Sequence, residues 1–418
     1  MAFIGNDLAT MAHEVFNAAQ LMLGDKAAGR VALQMLDRDY TYGELETGAQ
    51  RIAHYLNAAG ACKGDRVLLV SENSFFWVAS YLGILRAGLV CVPLPLAIGE
   101  SEFKYISSTT ESHFAFLQTR FIAKGSACLP DIKVVTDREV AAFPDALPFT
   151  ALMHNARPEA ELASIQPDDL AALMFTSGST GKPRGVTVSH RNIIANTKSI
   201  VEYLELNEND RIMTVLPFHY CFGTSLLHTH LAVGGRLVVD NRFLYPEKVL
   251  DRMQAAECTG FAGVPSHYQI LLRKSSLKRR QFPHLRYVQQ AGGHLAPSFI
   301  QELREALPSS KIFVMYGQTE ATARLSYVPP ERLDDKLGSI GKAIPDVKLR
   351  VVSESGTEVS PGQIGEIVAE GDNVTQGYWR DPEESAKCFR DGKLYTGDLA
   401  TTDNEGFIYV VDRAKDFI

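Results

Sequence analysis

Residues 176 to 185 read TSGSTGKPRG, between the apolar run LAALMF (170 to 175) and the strand-like VTVSH (186 to 190). Glycine lets backbone N–H groups turn towards an anion and approach it closely, Ser and Thr hydroxyls add donors, and Lys182 supplies a mobile positive charge. The loop therefore points to phosphate. A Walker A loop is excluded, because that motif needs Ser or Thr after its lysine and a glycine ahead of the Gly-Lys pair. Here Pro183 follows Lys182, and the earlier position carries a hydroxyl residue. A flexible Gly/Ser/Thr linker is the alternative, and the strand-like flanks weigh against it.

Other segments present chemistry at the ends of apolar runs. YGQTEAT (316 to 322) follows KIFVM (311 to 315). Tyr316 could stack on a base, Thr319 could bond a phosphate oxygen and Glu320 could hold Mg²⁺, at the edge where α/β sheets bind ligands. A helix-capping Thr and Glu would read the same way. AGGHLAP (291 to 297) permits close approach of a flat ligand, or is simply a helix entry ahead of Pro297. In YTGDLA (395 to 400), Asp398 follows a tight turn and could chelate a ribose diol or close an Asx turn. PFHYCFG (217 to 223) is either an aromatic core stripe or a pocket wall containing His219. His228 and His230 stand two residues apart and cannot share a helix face, which argues against a metal there.

The elements that must position these groups alternate along the chain. RVLLV (66 to 70), SFFWVASYLGILRAG (74 to 88) and LVCVPL (89 to 94) read as strand, helix, strand. The rhythm returns from RIMTVL (211 to 216) to GFAGV (260 to 264), giving stacked βα units. The fold class is α/β, with two mixed or parallel sheets flanked by helices. After about residue 336, KLRVV, a turn and GEIVAEG predict a small antiparallel β subdomain. The expected division is 1–335 for the α/β subdomains, 336–412 for the β-rich unit and 413–418 for a hinge.

Bulk properties set the limits. A chain of 418 residues exceeds what one core usually serves. The formal charge of −7 argues against nucleic-acid binding. RKSSLKRR (273 to 280) is either a docking patch for an acidic partner or a solvated helix end. Six dispersed cysteines without a CxxC pair suit a reducing compartment. The N-terminus lacks a signal-peptide pattern, and no run approaches the roughly 18 apolar residues of a membrane span, so a soluble cytoplasmic protein without an integral membrane segment is expected.

In this order, TSGSTGKPRG, PFHYCFG, AGGHL, YGQTE, GEIVAEGDNVTQGYW, YTGDLA and VDRAKD resemble the ANL superfamily of adenylate-forming enzymes, from about residue 40 to the last residue. That group comprises acyl-CoA synthetases, peptide-synthetase adenylation domains and luciferases. The resemblance implies that ATP and a carboxylic acid form an acyl-adenylate and pyrophosphate, and that a thiol, CoA or a carrier-protein phosphopantetheine, then takes the acyl group. It implies nucleotide contacts from Thr176, Ser177, Gly178, Ser179, Thr180, Gly181 and Lys182 on the triphosphate. Gly292, Gly293, His294 and Tyr316 would surround adenine, Gly317 and Gln318 would also bind the nucleotide, and Thr319 would touch the α-phosphate. Asp398 and Arg413 would hold the ribose, Glu320 would ligate Mg²⁺, and Lys415 would be the hinge. The implied catalytic set is Lys182, Thr319, Glu320 and His219.

The acyl pocket falls on His219, Tyr220, Cys221, Phe222, Val264 and Ser266, with Gly292 beside them. Amino-acid-activating members place an Asp near the position of Cys221, and FHYCFGTS offers no carboxylate to an α-ammonium. An acid without an α-amine is thus expected, small or medium in size, with an amino acid and a non-catalytic nucleotide-binding module as alternatives. A carrier protein is a possible partner. His294 is bulkier than the small residue common after the paired glycines. The family's smaller C-terminal domain should follow the hinge, and the chain ends three residues after Lys415. The expectation is that this chain alone binds nucleotide and acid but adenylates poorly.

Overall fold

The computed structural model describes residues 16–122, 132–141, 143–154, 163–176 and 182–413, with Arg413 described by its backbone only. Two large sheets carry the α/β part. A nine-stranded sheet runs in the order 342–343, 326–328, 311–316, 287–290, 260–263, 211–214, 236–239, 31–34, 39–41. Its central strands pair in parallel and its edges antiparallel. A seven-stranded sheet runs 147–148, 133–136, 114–117, 66–70, 90–94, 170–176, 184–189, parallel except for the closing hairpin. The expected mixed sheets are present.

Helices fill the space between them for reasons visible in their residues. Ser74 caps Phe75–Arg86 by accepting from the Trp77 amide, and the helix is apolar all round, so it is buried rather than amphipathic. Every residue from Phe222 to Ala232 of the Cys221–Ala232 helix is buried too. Its two histidines leave in different directions. His228 Nε2 pairs with the Tyr81 hydroxyl at 2.7 Å, and His230 Nε2 with the Tyr287 hydroxyl at 2.7 Å. They are satisfied core histidines.

The helix His190–Tyr203 opens with a capping box in which Asn192 accepts from the Ser189 amide. The Asn192 amide group also donates to the carbonyls of Asp372 (2.7 Å) and Val374 (2.9 Å), tying this helix to the segment beyond the small sheet's second strand.

The antiparallel sheet contains Lys348–Val352, Gly365–Glu370, Phe389–Arg390, Lys393–Thr402 and Ile408–Arg413. It starts at Lys348. Lys342–Ala343 still pairs with Ser326–Val328 in the large sheet, across the division expected near residue 336. The basic run covers the end of the Pro265–Lys274 helix and the residues after it, and three of its five cations are paired within the chain. Arg273 and Lys278 pair with Glu302, and Arg280 pairs with Glu247 and Asp251. No helix among the described residues is long and apolar enough to cross a membrane.

Candidate active site

Four adjacent parallel strands of the large sheet end on one edge. Beyond 211–214 comes PFHYCFG, beyond 260–263 comes Val264, beyond 287–290 come Gly292 and Gly293, and beyond 311–316 comes GQTE. This is the edge at which open α/β sheets bind ligands. The paired glycines have φ of +79° and +155°, and a Cβ on Gly292 would lie 3.0 Å from Val264 Cγ1. The backbone there lies flat against the neighbouring strand end, and Gly292, Gly293 and His294 are exposed.

The turn after Tyr316 is tightly folded. Thr319–Ala321 forms one 3₁₀ turn, and Thr322 and Ala323 follow with φ of +63° and +139°, sparsely populated for residues with a side chain. What holds them is a set of amide clamps. Thr322 Oγ1 donates to the Asn373 carbonyl at 2.7 Å, and the Asn373 and Asn196 side chains each donate to the Arg324 carbonyl at 3.0 Å. The turn leaves Thr319 and Glu320 partly exposed, and no side chain caps it.

Each predicted group of this turn meets another segment. The Tyr316 hydroxyl donates to Asp398 Oδ2 at 2.6 Å, so the aromatic and carboxylate expected around one nucleoside lie together. Asp398 follows Gly397, whose φ is +75°, and pairs across the sheet with the backbone of Arg413. Thr319 Oγ1 lies 3.4 Å from Cys221 Sγ, joining the candidate phosphate residue to the pocket helix. Glu320 Oε1 accepts from the Tyr378 hydroxyl at 2.8 Å. Burial and that carboxylate push the Tyr378 phenol well above its usual range, so it remains a proton donor.

Tyr378 reaches Glu320 because its segment is stitched to the loop-bearing hairpin. Trp379 N donates to the Gly185 carbonyl at 2.7 Å, and Thr187 N donates to the Gly377 carbonyl at 3.0 Å. Thr176 pairs with Arg184 at the hairpin's open end. Arg184 is engaged by Glu384 at 2.9 Å and Asp381 at 3.8 Å, whereas Lys182 is exposed. Ser177, Gly178, Ser179, Thr180, Gly181 and Lys415 lie outside the described residues. Tyr378 and Arg184 sit within family-like motifs, yet nothing in their local sequence marks them as partners of Glu320 and of the 381–384 carboxylates.

On the pocket side, the His219 and Tyr220 rings lie 4.3 Å apart and Tyr220 is exposed. Burial lowers the His219 imidazole to about 4, so it is neutral at physiological pH. Burial also raises the Cys221 thiol. Phe222 is buried, with the Arg324 guanidinium 4.0 Å from its ring centre. Val264 caps the Pro265–Lys274 helix, and Ser266 on that helix is exposed.

Burial likewise lowers His190, His230 and His267 to about 4 and His228 to about 3. Their folded values lie below the unfolded value of about 6.5, so below that pH the unfolded chain binds the extra protons. Stability should be flat above about pH 6.5 and fall progressively towards pH 4. Thermal unfolding midpoints measured from pH 7.5 to 4.5 check this, and a midpoint unchanged down to pH 5 would contradict it.

The candidate residues thus gather at the edge where open α/β sheets bind ligands. Residues 23–379 match the family model of the AMP-binding enzyme. The chain is 28% identical over 393 residues to indoleacetate–CoA ligase of Aromatoleum aromaticum, covering 93% of this chain and 76% of the relative. It is 30% identical over 386 residues to feruloyl-CoA synthase of Amycolatopsis sp., covering 90% and 74%. Among solved structures, O-succinylbenzoate coenzyme A synthetase (MenE) from Bacillus subtilis, in complex with ATP and magnesium ion, superposes with a TM-score of 0.82 at 27% identity, covering 96% of this chain and 80% of that one. The chain belongs to the AMP-binding enzyme family, the adenylate-forming ANL superfamily. It is an AMP-forming acid–thiol ligase, using ATP to activate a carboxylic acid as the acyl-adenylate before transfer to a thiol.

Proposed function

We propose that the acceptor is CoA, that the substrate is a small or medium acid without an α-amine, and that the residues gathered at the strand ends divide the work as follows. Tyr316, Gly292, Gly293 and His294 border the adenine, with Gly317 and Gln318 completing the turn. Asp398, with Arg413, holds the ribose. Thr176, the loop from Ser177 to Gly181, and Lys182 grip the phosphates, and Thr319 meets the α-phosphate. Glu320 binds magnesium. The observation that supports this reading is a pair of contacts made by one turn at the sheet edge, Tyr316 to Asp398 and Thr319 to Cys221.

The chemistry explains the choice of residues. Attack of a carboxylate on the α-phosphorus brings two anions together, so the site must neutralise charge and align the reactants rather than supply a nucleophile. Magnesium, when bound, neutralises phosphate charge. The fit is good: Glu320 offers a hard oxygen donor, and Tyr378 fixes one of its oxygens by hydrogen bonding while leaving the other available. Neutral His219 lines the pocket without adding a second charge.

The acid reading rests on the pocket helix. By the family resemblance, Cys221 falls near the position at which amino-acid-activating members carry an Asp, and the nearby Arg324 guanidinium would repel an α-ammonium. CoA is favoured over a carrier-protein phosphopantetheine by the relatives, which are named as CoA ligases. The free thiols of Cys62, Cys91, Cys221, Cys258 and Cys388 support a cytoplasmic setting.

ATP–pyrophosphate exchange with Mg²⁺ over aryl, short-chain, long-chain and amino acids, using the native polypeptide, tests the reading. One or a few acids without an α-amine should respond, and CoA should then convert the responding acid to its thioester with release of AMP. Exchange confined to α-amino acids, or nucleotide binding without exchange for any acid, would overturn it.

A further inference from the structure

Two cations are buried among the described residues, and they differ in one respect. Lys336, 7% exposed, is held by Asp403 at 2.8 Å and Glu405 at 2.5 Å. Arg324, 1% exposed, makes no ion pair with a described carboxylate. Its guanidinium packs on the Phe222 ring and hydrogen-bonds the Tyr203 side chain, while Nε and Nη2 have no hydrogen-bond partner among the described residues. Arginine stays charged inside proteins, and a buried charge without a counter-ion is among the costliest arrangements a fold can retain. Its backbone is nonetheless fixed by two amides, those of Asn196 and Asn373.

The position of Arg324 suggests what the missing anion is. Thr319, beside the reacting end of the acid, touches Cys221, and Phe222, the next residue, lies beneath the guanidinium. Arg324 therefore packs against the first turn of the pocket helix. An acid reacting at Thr319 would direct its other end towards Arg324. A guanidinium offers two parallel N–H donors, the pattern that a carboxylate accepts.

We propose that Arg324 is the counter-ion for a second carboxylate on the substrate, so that the enzyme activates short dicarboxylic acids, one carboxylate reacting and the other held at the back of the pocket. This rests on the acid–thiol ligase reading and specifies its substrate class. The alternative occupant is an internal water bridging Arg324 to the unpartnered Oδ1 atoms of Asn196 and Asn373. In that case the arginine would be structural and indifferent to the acid.

The test pairs acids of equal length: succinate with butyrate, glutarate with valerate, adipate with hexanoate. Exchange is measured for the native polypeptide and for Arg324→Met and Arg324→Lys. The native enzyme should prefer a dicarboxylate over its partner by about a hundredfold in kcat/KM, since a buried charge left unpaired penalises the wrong substrate. Arg324→Met should abolish or reverse that preference, mainly through KM, and Arg324→Lys should keep part of it. A native preference for the monocarboxylates, or the same ranking in Arg324→Met, overturns the proposal. Silent exchange counts against the ligase reading, and binding then decides this one. In the presence of AMP, a dicarboxylate should raise the unfolding temperature of the native protein more than its monocarboxylate partner. Equal shifts, or none, overturn the proposal. If Arg324→Met does not fold, the native pairs and Arg324→Lys decide between the two occupants in the same way.

Discussion

Glu320→Gln should lower the adenylation rate by on the order of a hundredfold or more and raise the magnesium concentration needed for half-maximal exchange. The substitution preserves shape. The Tyr378 hydroxyl can still donate to the amide oxygen as it does to Glu320 Oε1 at 2.8 Å, so the fold and the neighbouring turn should persist. What disappears is one negative charge at the position proposed for the metal, and with it the alignment of the triphosphate. Tyr378→Phe is the companion measurement. It keeps the charge but frees the carboxylate, so the loss should be about tenfold and largely recovered by added magnesium. Exchange rates followed against magnesium concentration separate the two. A Glu320→Gln enzyme with native rate and native magnesium dependence would remove Glu320 from the mechanism.

The contrast between Glu320 and Tyr378 shows what could be read from the sequence. The strands could be read because apolar runs such as RIMTVL and KIFVM carry their own period, and Gly and Pro mark their ends. The candidate site was legible where its residues are contiguous. Tyr316, Thr319 and Glu320 lie within five consecutive residues at one strand end, and all three are found at the sheet edge. Tyr378 joins Glu320 across 58 residues, through a segment positioned by Gly185, Thr187 and Asn192, and no local pattern encodes that.

Arg324 was missed for a related reason. In ATARLSY it has the look of an ordinary turn residue, and its burial depends on Phe222 and Tyr203 arriving from other helices. The pocket helix posed the opposite difficulty. PFHYCFG could be core or pocket, and it is both: Phe218 is fully buried while Tyr220 is exposed. A helix buried on all sides loses the amphipathic period by which its faces could have been told apart.

Gly317→Ala should be the most damaging small substitution in the site, because the clash is with backbone. An added Cβ would lie 1.9 Å from the Ala323 carbonyl oxygen, 2.7 Å from its carbon and 2.8 Å from Arg324 Cα. No rotamer change relieves such contacts. The turn has to open, and it already carries Thr322 and Ala323 at positive φ, held by Asn373 and Asn196. Where the backbone is compatible and the space is open, Gly→Ala is neutral or mildly stabilising, since it restricts the unfolded chain. Here the expected cost is about 3 kcal/mol or more, with loss of exchange activity beyond what the lowered stability explains, because Tyr316, Thr319 and Glu320 would all shift. Gly29→Ala is the control: its Cβ meets nothing within 4 Å. That variant should stay within about 0.5 kcal/mol of the native protein. Thermal and urea midpoints of the two variants, measured beside exchange rates at a temperature where both are folded, decide the matter. If Gly317→Ala matched Gly29→Ala in stability and in rate, the closed turn would not be what holds Thr319 and Glu320 at the sheet edge.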